Sequence, residues 1–161
     1  MSAHPFWRFS LRLYAQPGVE AACLALQAQG VDVNVLLLCC WLGRRGGALD
    51  RRRLGALLKA VGAWQQAVVL PLRQLRRTLK RPAWRVDADA RLRLRRQIVK
   101  AELEAERLQQ LWLASRVNTL PCQPGKDCAA ANVRRYSALL DLDAPAERHF
   151  RHVLDRLQSL R

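Results

Sequence analysis

The spacing of apolar residues along this chain follows a helical period almost from end to end. Apolar side chains recur every three or four positions over 5–15 and again over 19–29, which predicts two helices with one buried face each. Pro17 and Gly18 separate these helices. Gly30 follows the second helix and predicts a left-handed cap there.

The segment 33–42 is apolar on nearly every side. A helix without a polar face belongs in the interior of a fold, so we expect this one at the centre of a helical bundle. Asp32, just before it, has the side chain expected of an N-cap.

An amphipathic pattern then continues over 50–79. Pro71 falls inside it, so we expect the helix to kink or to split near Leu70. The expected buried seam consists of Leu54, Leu57, Val61, Trp64, Val68, Leu72, Leu75 and Leu79.

The longest predicted helix covers 89–116, with Asp87 or Asp89 as its cap. A loop at 119–126 and two closing helices within 127–161 complete the chain. The expected seam of the long helix consists of Leu94, Ile98, Ala101, Ala105, Leu108 and Trp112.

Composition agrees with a helical fold. The 161 residues are 50% hydrophobic, and Leu, Ala and Arg dominate while β-branched residues are scarce. We therefore predict an all-α chain, a single domain over 1–161, folded as an irregular antiparallel bundle of six to eight helices.

The ends and the cysteines indicate a cytoplasmic location. The first residues lack the pattern of a signal peptide, and the longest apolar run, 35–42, is shorter than the roughly 20 residues of a transmembrane helix. The five cysteines are an odd number, and Cys23, Cys39 and Cys40 lie in apolar helical segments. Reduced thiols in the core are the expected state.

Positive charge is concentrated in the middle of the chain. The net charge is +15, and residues 44–100 alone contain 17 Arg or Lys against 3 Asp. Such a surface favours a binding protein for an anionic partner, most plausibly nucleic acid or a ribonucleoprotein. Anionic lipid headgroups, or a solvated face produced by a GC-rich genome, are the alternatives. The predicted basic face consists of Arg44, Arg45, Arg51, Arg52, Arg73, Arg76, Arg77, Lys80, Arg93 and Arg96.

The sequence gives weaker evidence for other functions. No phosphate-binding loop, nucleophile elbow or paired nucleophile and base occurs, so we expect a non-enzymatic protein without catalytic residues or a cofactor. One alternative is a protein–protein adaptor with an apolar groove between helices. Another is a small-ligand or enzymatic site, although ion pairs with Arg73, Arg76 or Arg96 explain Glu102 and Glu106 better. The polar pocket of this last alternative comprises Gln27, Asp32, Asn34, Glu102 and Glu106.

Four residues have the side chains of a zinc site, namely Cys122, Cys128, His149 and His152. Both spacings differ from the usual Cys2His2 pattern, and a helical His pair lies more often at the surface. We therefore expect no metal.

Short motifs in the first part of the chain carry a family resemblance: Phe6-Trp7, Phe9-Ser10-Leu11, Tyr14, Pro17-Gly18-Val19, Ala22-Cys23-Leu24, Leu26-Gln27, Gly30, Asp32-Val33-Asn34, Leu36-Leu37 and Trp41-Leu42-Gly43, with weaker similarity at Trp64, Pro71-Leu72-Arg73 and 102–106. In these residues the chain resembles a small proteobacterial family known only as a domain of unknown function. The resemblance extends over about 6–115 and implies a bacterial, cytosolic, helical protein without an assigned activity. The tail from 122 onward does not share it.

Overall fold

The structure is a computed structural model that describes residues 4–82 and 85–160, and the regular elements in this part of the chain are helices. The predicted all-α fold is confirmed. Helix α4, a π-helical segment and α5 follow one another without a break, so seven continuous helical stretches are described. In chain order the elements are α1 (Pro5–Tyr14), α2 (Val19–Ala28), α3 (Val33–Arg44), α4 (Arg51–Trp64), the π segment (Gln65–Val69), α5 (Leu70–Thr78), α6 (Ala88–Val117), α7 (Ala129–Ser137) and α8 (Ala144–Ser159).

Side-chain caps fix several helix starts where the sequence predicts them. Oδ1 of Asp32 accepts hydrogen bonds from the backbone N–H groups of Asn34 and Val35, at 2.9 and 3.2 Å. Oδ2 of Asp87 accepts from Ala90 N–H at 2.7 Å and caps α6. These bonds satisfy backbone donors that have no partner within the first helical turn.

The chain divides into two compact units, one formed by 1–58 with 110–161 and the other by Lys59–Gln109. We call them the larger unit and the hairpin unit. In the larger unit α3 packs against α1, α2 and α7, and α2 packs against α8. Every residue of α3 from Asn34 to Gly43 is buried, which confirms the central position predicted for this apolar helix.

Buried amides connect the elements of the larger unit. The side chain of Asn132 donates to the carbonyls of Cys39 and Gly47, and its Oδ1 accepts from Leu49 N–H at 2.8 Å. Asn132 is completely buried, so these bonds hold the segment after α3 against α7.

A second polar chain joins α1, α3 and α6 in the same unit. Ser10 Oγ donates to Gln110 Oε1 at 2.9 Å, and Gln110 Nε2 donates to Asn34 Oδ1 at 2.8 Å. All three side chains are buried, so each hydrogen bond compensates for lost hydration.

The hairpin unit consists of two antiparallel helical stretches. Trp64 Nε1 donates to the carbonyl of Ala105 at 3.1 Å, and Arg91 donates to the carbonyl of Leu79 at 2.5 Å. As the residue numbers rise from 64 to 79 along the first stretch, the numbers of their partners on α6 fall from 105 to 91, as antiparallel packing requires. Arg73 lies between these two contacts and also reaches across to α6.

The π segment corrects the predicted seam of the first stretch. Leu54, Leu57 and Val61 are buried as predicted, but beyond them Val69 and Arg73 are the buried positions. The wider π turn holds one more residue than an α turn, so it rotates the following helix by about one position. Pro71, which cannot donate a backbone hydrogen bond, lies directly after it. The predicted seam residues that become partly or fully exposed are Trp64, Val68, Leu72, Leu75 and Leu79.

The predicted seam of α6 is also wrong in the hairpin unit. Leu94, Ala101 and Leu108 are exposed, while Ala105 is buried as predicted. Glu102 and Gln109 are buried instead, and Glu102 contacts Arg73 and Arg76 of the facing stretch.

The cysteines are free, and four of the five are buried. Burial raises the pKa of the Cys23 thiol from 9.0 to about 12, and it raises the pKa values of Cys39 and Cys40 as well. These thiols therefore remain protonated and unreactive near neutral pH. Within the part of the chain that the structure describes, no helix combines the length and apolarity that a membrane span requires.

Candidate functional site

A buried ionic cluster lies between the two stretches of the hairpin unit. Arg73 Nε is 3.2 Å from Glu102 Oε1, and its Nη2 is 2.8 Å from Glu106 Oε1. Arg76 contacts the other oxygen of Glu102 through its Nε. The side chains of Arg73 and Glu102 are only 8% and 10% exposed, so each charge depends on its partner.

This cluster decides between two interpretations of the glutamates. The sequence favours ion pairing with Arg73, Arg76 or Arg96, and Arg73 and Arg76 occupy that position. The sequence also predicts Arg73 on the exposed basic face, because it lies on the side of an α-helix opposite Leu72 and Leu75. The structure places it in the interior, since the π segment turns that side toward α6.

The third glutamate of this region is also paired. Arg107 donates to both carboxylate oxygens of Glu104, at 2.7 and 2.5 Å. This hydrogen bonding lowers the pKa of the Glu104 carboxyl. The glutamates at 102, 104 and 106 are thus all engaged by arginines of the same unit.

Most of the remaining basic side chains of the hairpin unit face water. Between residues 77 and 100 the sequence contains nine Arg or Lys and two Asp. Seven of these basic residues are exposed and, among the described residues, none has a carboxylate oxygen within 4.0 Å. We call these seven the basic set: Arg77, Lys80, Arg81, Arg85, Arg93, Arg96 and Lys100.

Sequence reasoning included only four members of the basic set. Arg81, Arg85 and Lys100 lie outside the predicted basic face. The signal that could have found them was the local charge, since all three lie within the basic tract 44–100.

The other predicted basic residues lie in the larger unit, and two of them have structural contacts. Arg44 donates to the carbonyls of Leu157 and Leu160 at 3.4 and 3.2 Å, near the end of α8. The guanidinium of Arg45 lies 4.6 Å from the ring centroid of Trp41. Arg51 and Arg52 are exposed in the first turn of α4.

Two of the polar pocket residues of the larger unit, Asp32 and Asn34, have structural roles. Asp32 caps α3, and its backbone N–H and carbonyl both bond to the hydroxyl of Tyr136, at 2.9 and 3.1 Å. Burial and the nearby Asp32 charge raise the pKa of Tyr136. Asn34 belongs to the buried amide chain with Gln110, and Gln27 is partly exposed on α2. Glu102 and Glu106 belong to the ionic cluster of the hairpin unit.

Two of the zinc candidates have other side-chain contacts. His152 Nε2 lies 3.0 Å from the carbonyl of Pro17, and Cys122 Sγ lies 3.7 Å from the carbonyl of Leu120. Cys128 is buried at the start of α7. Across residues 4–82 and 85–160, no three His, Cys, Asp or Glu side chains are grouped closely enough to hold a metal ion.

A cleft that the sequence did not indicate lies between the end of α7 and the start of α8. Its volume is about 260 Å³. Leu140, Leu142 and Phe150 supply apolar lining, and Asp143 and Glu147 supply carboxylates.

Comparison with known proteins assigns this chain to a family. Residues 5–113 match the family described as Protein of unknown function (DUF2390). The chain belongs to this family. The match includes α1 to α5 and most of α6, and thus the whole hairpin unit, whereas α7 and α8 lie beyond it. The family resemblance expected from the sequence is therefore confirmed. No curated protein and no solved structure matches the chain.

Proposed function

We propose that this protein binds nucleic acid, alone or within a ribonucleoprotein, through the basic set of the hairpin unit. The observation that carries the proposal is the exposure of seven basic side chains within 24 residues, without carboxylate partners in the described structure. Phosphate groups would supply the missing negative charge and release their condensed counterions on binding.

The ionic cluster supports this proposal because it separates structural charge from available charge. Arg73, Arg76 and Arg107 are already neutralised by glutamates. The charges of the basic set are not compensated by carboxylates in this way, so they can attract an anionic ligand.

The backbone positions of the basic set fit a polyanion better than a single small anion. Arg93, Arg96 and Lys100 follow one another at three and four residues along α6, so they share a face over about 10 Å at 1.5 Å per residue. Arg81 and Arg85 extend the positive charge into the connection between α5 and α6.

The proposal is tested by fluorescence anisotropy of the full chain with a 20-nucleotide RNA and a DNA duplex of equal length. We expect binding at 50 mM salt that weakens steeply as salt rises, with log K against log[salt] having a slope of about −3 or steeper. The variant Arg93→Glu/Arg96→Glu should lose at least tenfold in affinity.

The matched control is Arg148→Glu/Arg151→Glu, which reverses two exposed arginines at the same spacing on α8. It changes the net charge equally and should retain most of the affinity. Absence of binding at 50 mM salt, or equal losses in the two variants, would overturn the proposal.

A cytoplasmic location is part of this proposal. Its support is the set of five free cysteines, which suits a reducing compartment.

A second candidate function, a protein–protein adaptor, is favoured by one observation, the exposed leucines of the hairpin unit. The enzymatic alternative has less support, since Arg73 and Arg76 hold Glu102 and Glu106.

A further inference from the structure

Helix α6 carries a narrow apolar stripe that faces water. Leu92, Val99 and Leu103 are 41%, 38% and 49% exposed. At about 100° per residue these three positions lie within about 40° of one another and extend over three helical turns. We call them the outer stripe.

From the outer stripe we infer a docking site for a helix of a partner protein, an amphipathic helix rich in Glu or Asp. The site differs from the proposed nucleic-acid contact in its apolar centre, although Arg93, Arg96 and Lys100 border both. The spacing, the width and the charged border of the stripe all fit such a helix.

The spacing of the outer stripe is that of a helix–helix seam. Its residues are separated by seven and four positions, so Leu92 and Val99 occupy d positions of a heptad repeat and Leu103 an a position. Arg96 occupies the remaining seam position between Leu92 and Val99. A partner helix would therefore present leucines to the stripe and one carboxylate to Arg96.

The width of the stripe argues against a lipid surface. A helix that lies in a membrane interface buries a broad apolar face, whereas a packed pair of helices needs only a narrow seam. On α6 the sector beside the outer stripe is already polar, since Arg96, Lys100 and Arg93 follow it around the helix.

The charged border determines the partner's chemistry. In the heptad register set by the stripe, Arg93 and Lys100 occupy the same flanking position in successive heptads. Two copies of α6 packed antiparallel would bring these like charges together, which disfavours self-association. A helix with acidic flanks would form opposite-charge pairs along the same border.

The experiment uses the full chain and a designed, fluorescently labelled 28-residue peptide. The peptide has Leu at a and d, Glu at e and g, and one Glu at an a position; a second peptide has Lys in place of every Glu. We expect the acidic peptide to bind with micromolar affinity at 50 mM salt and the basic peptide to bind at least tenfold more weakly.

The decisive variant is Val99→Ser/Leu103→Ser, which should lower affinity for the acidic peptide at least tenfold while leaving RNA affinity unchanged. Its matched control is Leu11→Ser/Leu24→Ser, which removes two leucines of similar exposure from α1 and α2 and should bind the peptide normally. Circular dichroism of both variants should match that of the original chain, since all four residues are exposed.

Four results would each overturn the inference. The first is failure of the acidic peptide to bind the original chain, and the second is equal binding of that peptide to Val99→Ser/Leu103→Ser. The third is sedimentation of the original chain as a dimer that this variant abolishes, which would mean that a second copy covers the stripe. The fourth is binding of vesicles of 30% phosphatidylserine in phosphatidylcholine to the original chain but not to the variant, which would mean that lipid covers it.

Discussion

Arg73 donates from Nε to Oε1 of Glu102 over 3.2 Å, at a position where the hydrophobic pattern predicted a leucine contact. Both side chains are almost fully buried, and Glu106 accepts from the same guanidinium. The hairpin unit is thus joined by charge as well as by apolar packing, and its stability should depend on keeping the cluster complete.

Removing one member of the ionic cluster should destabilise the protein strongly. Arg73→Leu leaves two carboxylates without their buried partner, and we expect a loss of about 3–5 kcal/mol in the free energy of unfolding. Urea denaturation followed by circular dichroism measures it.

Two comparisons make this prediction specific. The triple variant Arg73→Leu/Glu102→Leu/Glu106→Leu removes all three charges and should recover most of the lost stability. Arg107→Leu breaks an exposed pair and should leave stability nearly unchanged. If Arg73→Leu unfolds at the same urea concentration as the original chain, the cluster is not structural.

Asn132 should be among the most sensitive polar positions in the larger unit. Asn132→Ala leaves Leu49 N–H and the carbonyls of Cys39 and Gly47 without their hydrogen bonds, so we expect a loss of about 2–4 kcal/mol. The measurement is urea denaturation, with Arg134→Ala, an exposed neighbour on α7, as a control that changes stability by less than about 0.5 kcal/mol. Equal effects of the two substitutions would contradict the assignment.

The same substitution at two helical glycines should have opposite effects. At Gly43 a Cβ would collide with the backbone of Ala129, and Cys128 N–H donates to the Gly43 carbonyl at 2.9 Å. Gly43→Ala should therefore cost about 1–3 kcal/mol. Gly55 in α4 has open space around it, and Gly55→Ala should stabilise by about 0.5–1 kcal/mol. Thermal melts of the two variants that shift in the same direction would refute the close approach of α3 and α7.

Stability should fall as the pH rises above 9. Burial raises the pKa of Cys23 from 9.0 to about 12, so the folded state keeps a proton that the unfolded state loses over this range. The stabilisation is complete below pH 9 and lost progressively toward pH 12. The raised pKa values of Cys39, Cys40 and Tyr136 act in the same direction.

Cys23→Ala isolates one part of this pH dependence. Between pH 8.5 and 10.5 the variant should lose about 1–2 kcal/mol less than the original chain, as measured by urea denaturation at each pH. Leu24→Ala, a neighbouring truncation without a titratable group, should follow the original chain. An unchanged pH dependence in Cys23→Ala would contradict the prediction.

The sequence predicted elements well where a local signal determines them. Asp32 and Gly30 bound the connection before α3 because a cap and a left-handed residue act over a few positions. The apolar surface of α3 likewise predicted its burial, since no side of that helix could face water at low cost.

The candidate site was harder to predict because it depends on helix phase. Pro71 signalled a disturbance, but not whether the chain would kink, split or widen into a π turn. Formation of the π turn places Arg73 in the interior and leaves Leu75 exposed. The sequence shows which residues are basic. It does not show which of them have no carboxylate partner, because that depends on which arginines the glutamates bind.

The π segment at Gln65–Val69 accommodates one extra residue of chain length. If the same residues formed ordinary α turns, everything that follows would rotate by about 100°, and Leu72 would face α6 while Arg73 faced solvent. Deletion of a single residue there, such as Gln66, would instead remove the extra residue together with the wide turn, so Arg73 would still face Glu102. The salt-linked interface therefore tolerates the loss of this one codon, and we expect homologues without it to have a plain α-helix here with the same arginine facing α6.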